Sequence, residues 1–229
     1  MSWTIRKTDE NASHIEDLEK IVKKAARNGI LMFCAASDGG AVTDQTFPAE
    51  SQRELVFKIG AATEEGKAWK WVGEEKKIDF IFPGHEVVQE RYEGALLEKC
   101  NVLTGSSVAT ALAAGLAALV LDCVQIAAFH YAELVEEQTK LSESSVQQEK
   151  RAVDFSRILS LERVLHDDYV KLKKTTEMKA AFTRIGMTDE KYVKVWELFK
   201  DEPQKASGKL NGEKTETVVG NLIAKRLKG

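Results

Sequence analysis

The segment Thr104-Gly105-Ser106-Ser107-Val108-Ala109-Thr110 puts two adjacent hydroxyls where a long run of small apolar residues, Ala111 to Leu119, begins. A helix that starts there leaves its first backbone N–H groups without intrahelical partners, and its dipole favours negative charge at that end. A serine so placed suits nucleophilic attack on an acyl carbon, because the oxyanion formed beside it can be held by the serine's own N–H. The same residues also fit a plainer role, in which Ser106 or Ser107 merely caps the helix. Spacing alone leaves both open.

Other elements must position such a serine. Ile30-Leu31-Met32-Phe33-Cys34-Ala35-Ala36 is a continuous apolar run of strand length, the pattern of a parallel strand covered on both faces. It ends in the polar turn Ser37-Asp38-Gly39-Gly40, and open α/β sheets place ligands at such C-terminal strand ends. Leu55 to Ala62, and Ile78 to Phe82 before Pro83-Gly84, read as further strands. Alternation at Trp69 and Trp71 predicts a half-exposed strand. Near the N-terminus Ser2–Ile5 reads as a short strand. Ser13-x-x-Glu16 reads as a capping box opening a helix with Ile15, Leu18, Ile21, Val22, Ala25 and Ala26 on its apolar side, closed by Asn28-Gly29. The helix opened by Thr104-Gly105-Ser106-Ser107 continues to about Phe129, while Tyr92 to Leu103 has no clear reading.

Beyond Tyr131 the texture changes to Lys, Glu and Leu with few glycines. Glu133–Lys150 reads as an exposed helix or linker, and Ala152–Met178 as helical. A further helix opens at Thr188-Asp189 with Tyr192, Val195, Trp196 and Phe199 on one face. Asp201–Thr217 reads as a loop and Val218–Leu227 as a last short helix.

The 229 residues carry 33 Lys and Arg against 36 Asp and Glu, a net charge of −3. Residues 1–131 hold 14 basic and 19 acidic side chains, and residues 132–229 hold 19 and 17. Hydrophobic residues at 43% exclude a disordered chain, and the balanced charge argues against a nucleic-acid partner. Cys34, Cys100 and Cys123 form no CxxC pair or Cys/His cluster, so they read as reduced thiols rather than zinc ligands. No apolar leader-like region follows Met1. The reduced cysteines and this absence lean toward a cytoplasmic protein, and secretion fits only a chain whose N-terminus is truncated. Ala111–Leu121 falls short of a membrane span before Asp122, so it reads as a helix buried in protein with no membrane partner.

Gly105-Ser106-Ser107-Val108-Ala109-Thr110 resembles the Gly-Thr-Ser-x-Ala-[Ser/Thr] motif of the subtilisin-like serine proteases, with the family's nucleophile falling on Ser107 and the glycine of its buried helix on Gly115. Three landmarks agree in order. Ile30–Gly40 resembles the strand and Ala-Ala-Gly-Asn-x-Gly turn that carries the oxyanion asparagine. Phe47-Pro48-Ala49 with Val56–Ala61 resembles Tyr-Pro-Ala…Val-x-x-Val-Gly-Ala. Asp79–Gly84 resembles Asp-x-x-Ala-Pro-Gly. The resemblance covers about residues 1–129. It implies an α/β fold: a partial three-layer subtilisin-like domain with a mostly parallel sheet over 1–131, followed by an α-helical extension over 132–229 like those of some fungal-type subtilases.

The same resemblance implies a serine endopeptidase acting on polypeptides. Ser107 is its nucleophile, Asp38 stands at the oxyanion position, and Ala35, Ala36 and Ser37 form the wall of the specificity pocket. Asp38 departs from the family's Asn, since an ionised Asp accepts hydrogen bonds but cannot donate one. Ala111 and Leu112 replace the usual Pro and His. In the family the triad Asp and His precede the matched part, and none of His14, His85, His130 or His166 lies in a His-Gly-Thr context. The expectation is therefore a chain without its base, inactive alone, whose partner is the missing N-terminal half of the catalytic domain. No cofactor is implied, and calcium, common in the family, is carried only by resemblance. Two other readings are a non-catalytic interaction module built on a truncated relative, and a small-molecule binder using the Ser37–Gly40 turn.

Overall fold

A computed structural model describes residues 1–40, 46–73, 75–88, 101–143 and 164–199. In order they form β1 (Ile5–Arg6), α1 (Ala12–Arg27), β2 (Phe33–Ala35), β3 (Thr46–Phe47), β4 (Phe57–Ala62), β5 (Phe80–Pro83), β6 (Val87–Val88), β7 (Val102–Leu103), α2 (Ser106–Glu143), α3 (His166–Leu172) and α4 (Thr175–Gly186). Three strands make a parallel sheet in the order β2-β4-β5, with Phe33 opposite Phe57 and Ile59 opposite Phe80. β1 pairs with β3 and β6 with β7, both antiparallel.

The apolar runs form strands because both faces of the sheet are covered. Alternation along β2, β4 and β5 gathers Phe33, Phe57, Phe80 and Phe82 on one face. Their rings meet Phe182 of α4, 5.4 Å from Phe80 and 5.7 Å from Phe57. On the opposite face Cys34 joins Val22, Met32, Ala49 and Val56, with Leu18, Ala25 and Ala26 of α1 against them. This is an α/β arrangement of helix, parallel sheet and helix.

The chain divides into two compact units. The first unit comprises Met1–Ala117 together with Lys173–Val195. The second, among the described residues, is built on the C-terminal part of α2 and on Val164–Leu172. The reason is burial: Met178, Ala181, Phe182 and Ile185 form an i, i+3, i+4, i+7 stripe on α4, and all four are buried. Residues 173–195 thus complete the core of the first unit rather than extend it.

Several local expectations change. α1 starts after Asn11, which leaves Ser13 inside the helix, and the Asn11 side chain makes no capping bond to its first turn among the described residues. The Asn11 side chain instead accepts from Thr8 N–H and donates to Arg6 O. Its C-terminus follows expectation, with Gly29 at φ +70°. Trp69 and Trp71 lie in a turn, not a strand, because Trp69 N–H folds back to Ala61 O at 2.8 Å and Val72 N–H to Trp69 O at 2.9 Å. α2 runs through Tyr131 without a break to Glu143, 38 residues in all. Its Ser106–Glu133 stretch is long and apolar enough to cross a membrane by length and composition. No helix starts at Thr188-Asp189: Lys191 has φ +65°, Tyr192 bridges Ile81, and only Val195–Phe199 coils, as a 3-10 turn. Residues 92–100, 144–163 and 200–229 lie outside the described residues, and with them Cys100, the first part of the helical reading over 152–178, the loop reading over 201–217 and the last helix reading over 218–227.

Candidate active site

The three parallel strands end on the same side of the sheet, and the N-terminus of α2 sits among those ends. Each strand end contributes at least one contact. After β2, the Asp38 carboxylate accepts from Ser106 N–H through Oδ2 at 2.7 Å and from the Ser106 hydroxyl through Oδ1 at 2.6 Å. From β4, Ala61 N–H donates to Ser106 Oγ at 3.0 Å. After β5, the Gly84 carbonyl accepts from Gly105 N–H at 2.7 Å. The carbonyl of Ser106 is in turn held by the Thr110 hydroxyl at 2.7 Å.

Two glycines make this close approach possible. Gly105 has φ +141°, a conformation that side chains rarely adopt. A Cβ on Gly84 would lie 2.7 Å from Ala61 Cβ and 3.0 Å from Gly105 O. The antiparallel β6–β7 pair and the Glu86 N–H donating to the Thr104 hydroxyl at 2.9 Å lead the chain into this position.

Ser106 is fully buried, and Ser107, the next residue of the first turn, is exposed. Among the described residues the Ser107 hydroxyl has no hydrogen-bond partner and no imidazole reaches it. A point one methyl away from Gly105 lies 3.4 Å from Ser107 Oγ and 3.2 Å from Asp38 Oδ2, which puts both groups at the same corner. A cleft of about 550 Å³ opens beside Ser107, lined by Met1, Trp3, Met32, Phe33, Thr110 and Ala114. A larger cavity of about 1090 Å³, along Asp122–Glu136 and Val164–His166, holds none of the candidate residues.

Of the residues proposed for a substrate wall, Ala35 and Ala36 are buried. Ala36 packs with Ala61, Val72 and Ile81. Ser37 is partly open, but its hydroxyl accepts from Gly39 N–H at 3.3 Å and its carbonyl from Gly73 N–H at 2.8 Å. Gly40 N–H donates to Trp71 O at 2.8 Å, so the 37–40 turn is tied to the tryptophan turn. Of the histidines, His85 packs tilted against Trp69, with ring centroids 5.6 Å apart, and lies 4.0 Å from Glu86, while His14 is exposed on α1. His166 packs against Tyr169 at 5.7 Å. Among the described residues no three His, Cys, Asp or Glu side chains gather as metal ligands.

Sequence reasoning weighed Ser106 only as a cap. The signal for its real role is its position directly before Ser107: a buried hydroxyl in that place must find partners, and the strand ends supply them.

The Subtilase family matches residues 1–150. The chain is 29% identical over 138 residues to the "Major intracellular serine protease" of Bacillus subtilis (strain 168), a match that covers 58% of this chain and 39% of that protein. Among solved structures, a prenylagaramide maturation protease, PagA, aligns at 25% identity with a TM-score of 0.38, over 46% of this chain and 37% of its own. A lanthipeptide protease aligns at 17% identity with a TM-score of 0.42, over 52% and 44%. The chain therefore spans well under half the length of the curated relative it matches. With the serine segment, the parallel strands and their end loops all inside the matched region, this chain belongs to the subtilase family.

Proposed function

We propose that the chain carries the nucleophile of a subtilisin-like serine endopeptidase and that Ser107 is that nucleophile. The observation that supports this best is the contrast between two neighbours. Ser106 is buried and bonded to two strand ends, whereas Ser107 projects unbonded, among the described residues, beside an open cleft at a helix N-terminus. Its substrate is a polypeptide. Ser107 attacks the scissile carbonyl, and the Ser107 N–H faces the developing oxyanion. A hydroxyl without a base is a poor nucleophile. The Asp and His therefore come from a further segment, the N-terminal half of a subtilase domain, and the 229-residue chain alone is inactive.

The test is labelling by a fluorophosphonate probe. The chain alone is expected to label poorly, and the chain mixed with or fused to an upstream subtilase half to label strongly. Labelling that survives Ser107→Ala would show that another serine is the nucleophile. Robust peptide hydrolysis by the chain alone, lost in Ser107→Ala, would refute the need for an external base.

A second reading, a non-catalytic interaction module, has its own support. Leu112, Leu119 and Ile126 recur every seven residues on α2 and are each at least 41% exposed. Among the described residues, the outer edge of β2 is met at its ends by Met1, whose carbonyl accepts from Ala35 N–H and whose ammonium donates to Phe33 O. Binding of the upstream half with no labelling of Ser107 would favour this reading.

A further inference from the structure

The acidic residue at position 38 does not stand free beside Ser107. Both of its oxygens are taken by Ser106, one by the backbone N–H and one by the hydroxyl. The Ser106 hydroxyl has a single proton. Because Ala61 N–H donates to that oxygen, the proton is directed at Asp38. Asp38 is thus an acceptor on both sides, the pattern of an ionised carboxylate. Ser106 is the first residue of α2, whose opening N–H groups have no partner within the helix.

We propose that Asp38 is a positioning residue. Its carboxylate caps α2 from 68 positions away in sequence and fixes the Ser106–Ser107 step against β2 and β4, instead of presenting a donor to charge forming at Ser107. The cap makes a chemical choice. A carboxylate satisfies a helix start through charge and two acceptor atoms. The same charge, at the corner shared with Ser107 Oγ, opposes a second negative charge there. The turn after β2 therefore holds the helix start in place, and oxyanion stabilisation falls to backbone N–H groups. That last consequence rests on Ser107 being the nucleophile; the cap itself does not.

Amide hydrogen exchange on the ¹⁵N-labelled full chain tests the cap. In Asp38→Ala the Ser106 amide is expected to lose protection about tenfold, the size of a lost cap. Asp38→Asn keeps one acceptor oxygen and should restore most of that protection, and with it the Ser107 amide resonance position. Ser106→Ala removes only the hydroxyl arm, so Ala61 should exchange about tenfold faster while the amide at position 106 stays protected. Unchanged exchange at Ser106 in Asp38→Ala, or equal loss in the Ala and Asn variants, would overturn the proposal. If Asp38→Ala does not fold, unchanged exchange at Ala61 in Ser106→Ala overturns it instead. Fluorophosphonate labelling reads Ser107 separately, so either idea can fail alone.

Discussion

Lys179 Nζ donates to Asp79 Oδ2 at 2.9 Å, across 100 positions of sequence, and to Arg53 O at 2.8 Å. Asp79 also accepts from Lys58 N–H at 2.9 Å through the same oxygen, with Arg53 3.9 Å from the other. The Lys179 and Asp79 side chains are only 20% and 16% exposed. Loss of a charged hydrogen bond in such a setting costs about 1.5–3 kcal/mol. Lys179→Met should lower urea-unfolding stability toward the bottom of that range, and Asp79→Ala by more, because it removes the acceptor of Lys58 N–H and leaves Lys179 only the Arg53 carbonyl. Equal, negligible effects would mean that the contact is not maintained in solution.

Phe182 is the second tie between α4 and the sheet. It is fully buried, and its ring lies 5.8 Å from Phe82 and 6.4 Å from Phe33 in addition to Phe57 and Phe80. Truncation of a buried Phe costs about 3–5 kcal/mol, a large share of a stability of roughly 5–15 kcal/mol. Phe182→Ala is expected to lower the main unfolding transition of the whole first unit. If residues 173–195 were a loose appendage, that transition would not move.

The parallel strands were legible because mostly apolar runs, continuous in Ile30–Ala36 and interrupted by Lys58 in Leu55–Ala62 and by Asp79 in Ile78–Phe82, suit a sheet covered on both faces. Ile30–Ala36, Leu55–Ala62 and Ile78–Phe82 all contain strands. The serine helix was legible from its small residues and from the Gly105-Ser106-Ser107 start. What the sequence could not show was set by distant partners. The stripe on α4 carries no mark of which core it enters, so Phe182 read as part of an extension. The Tyr192, Val195, Trp196, Phe199 spacing is helical, but Tyr192 is drawn into a bridge with Ile81, and Lys191 Nζ is drawn to the Ile78 carbonyl at 2.6 Å. Asp38 stands at the oxyanion position by resemblance, and its tie to Ser106, across 68 positions, leaves no mark in the sequence.

Two glycines should respond in opposite directions to the same substitution. A Cβ on Gly84 would meet Ala61 Cβ at 2.7 Å and Ala61 Cα at 2.9 Å, and neither is the end of a flexible chain. Gly84→Ala is expected to cost about 1–3 kcal/mol by overpacking and to disturb the Gly84–Gly105 hydrogen bond at the start of α2. A Cβ on Gly115, inside α2, meets nothing within 4 Å among the described residues. Gly115→Ala should therefore stabilise the isolated chain by about 0.5–1 kcal/mol through helix propensity. Thermal or urea unfolding of both variants checks the signs, and destabilisation by Gly115→Ala would show that its surface is already covered.

Cys34 gives stability a pH dependence on the alkaline side. It is 1% exposed between the sheet and α1, and burial pushes its thiol up to about 11 from 9.0. Nearby Asp79 acts in the same direction, while the N-terminus, Lys179 and Lys58 oppose it. Above pH 9 the unfolded chain releases this proton while the folded chain keeps it until about pH 11, so the folded state binds more protons in that window. Stability contributed by the site is complete below pH 9 and falls as pH rises toward 11. Relative to Cys34→Ala, the wild-type chain should lose on the order of 1 kcal/mol between about pH 8 and pH 10 in urea unfolding. The difference between the two proteins cancels the other alkaline titrations, and parallel pH profiles would show that Cys34 ionises as freely in the folded chain as in the unfolded one.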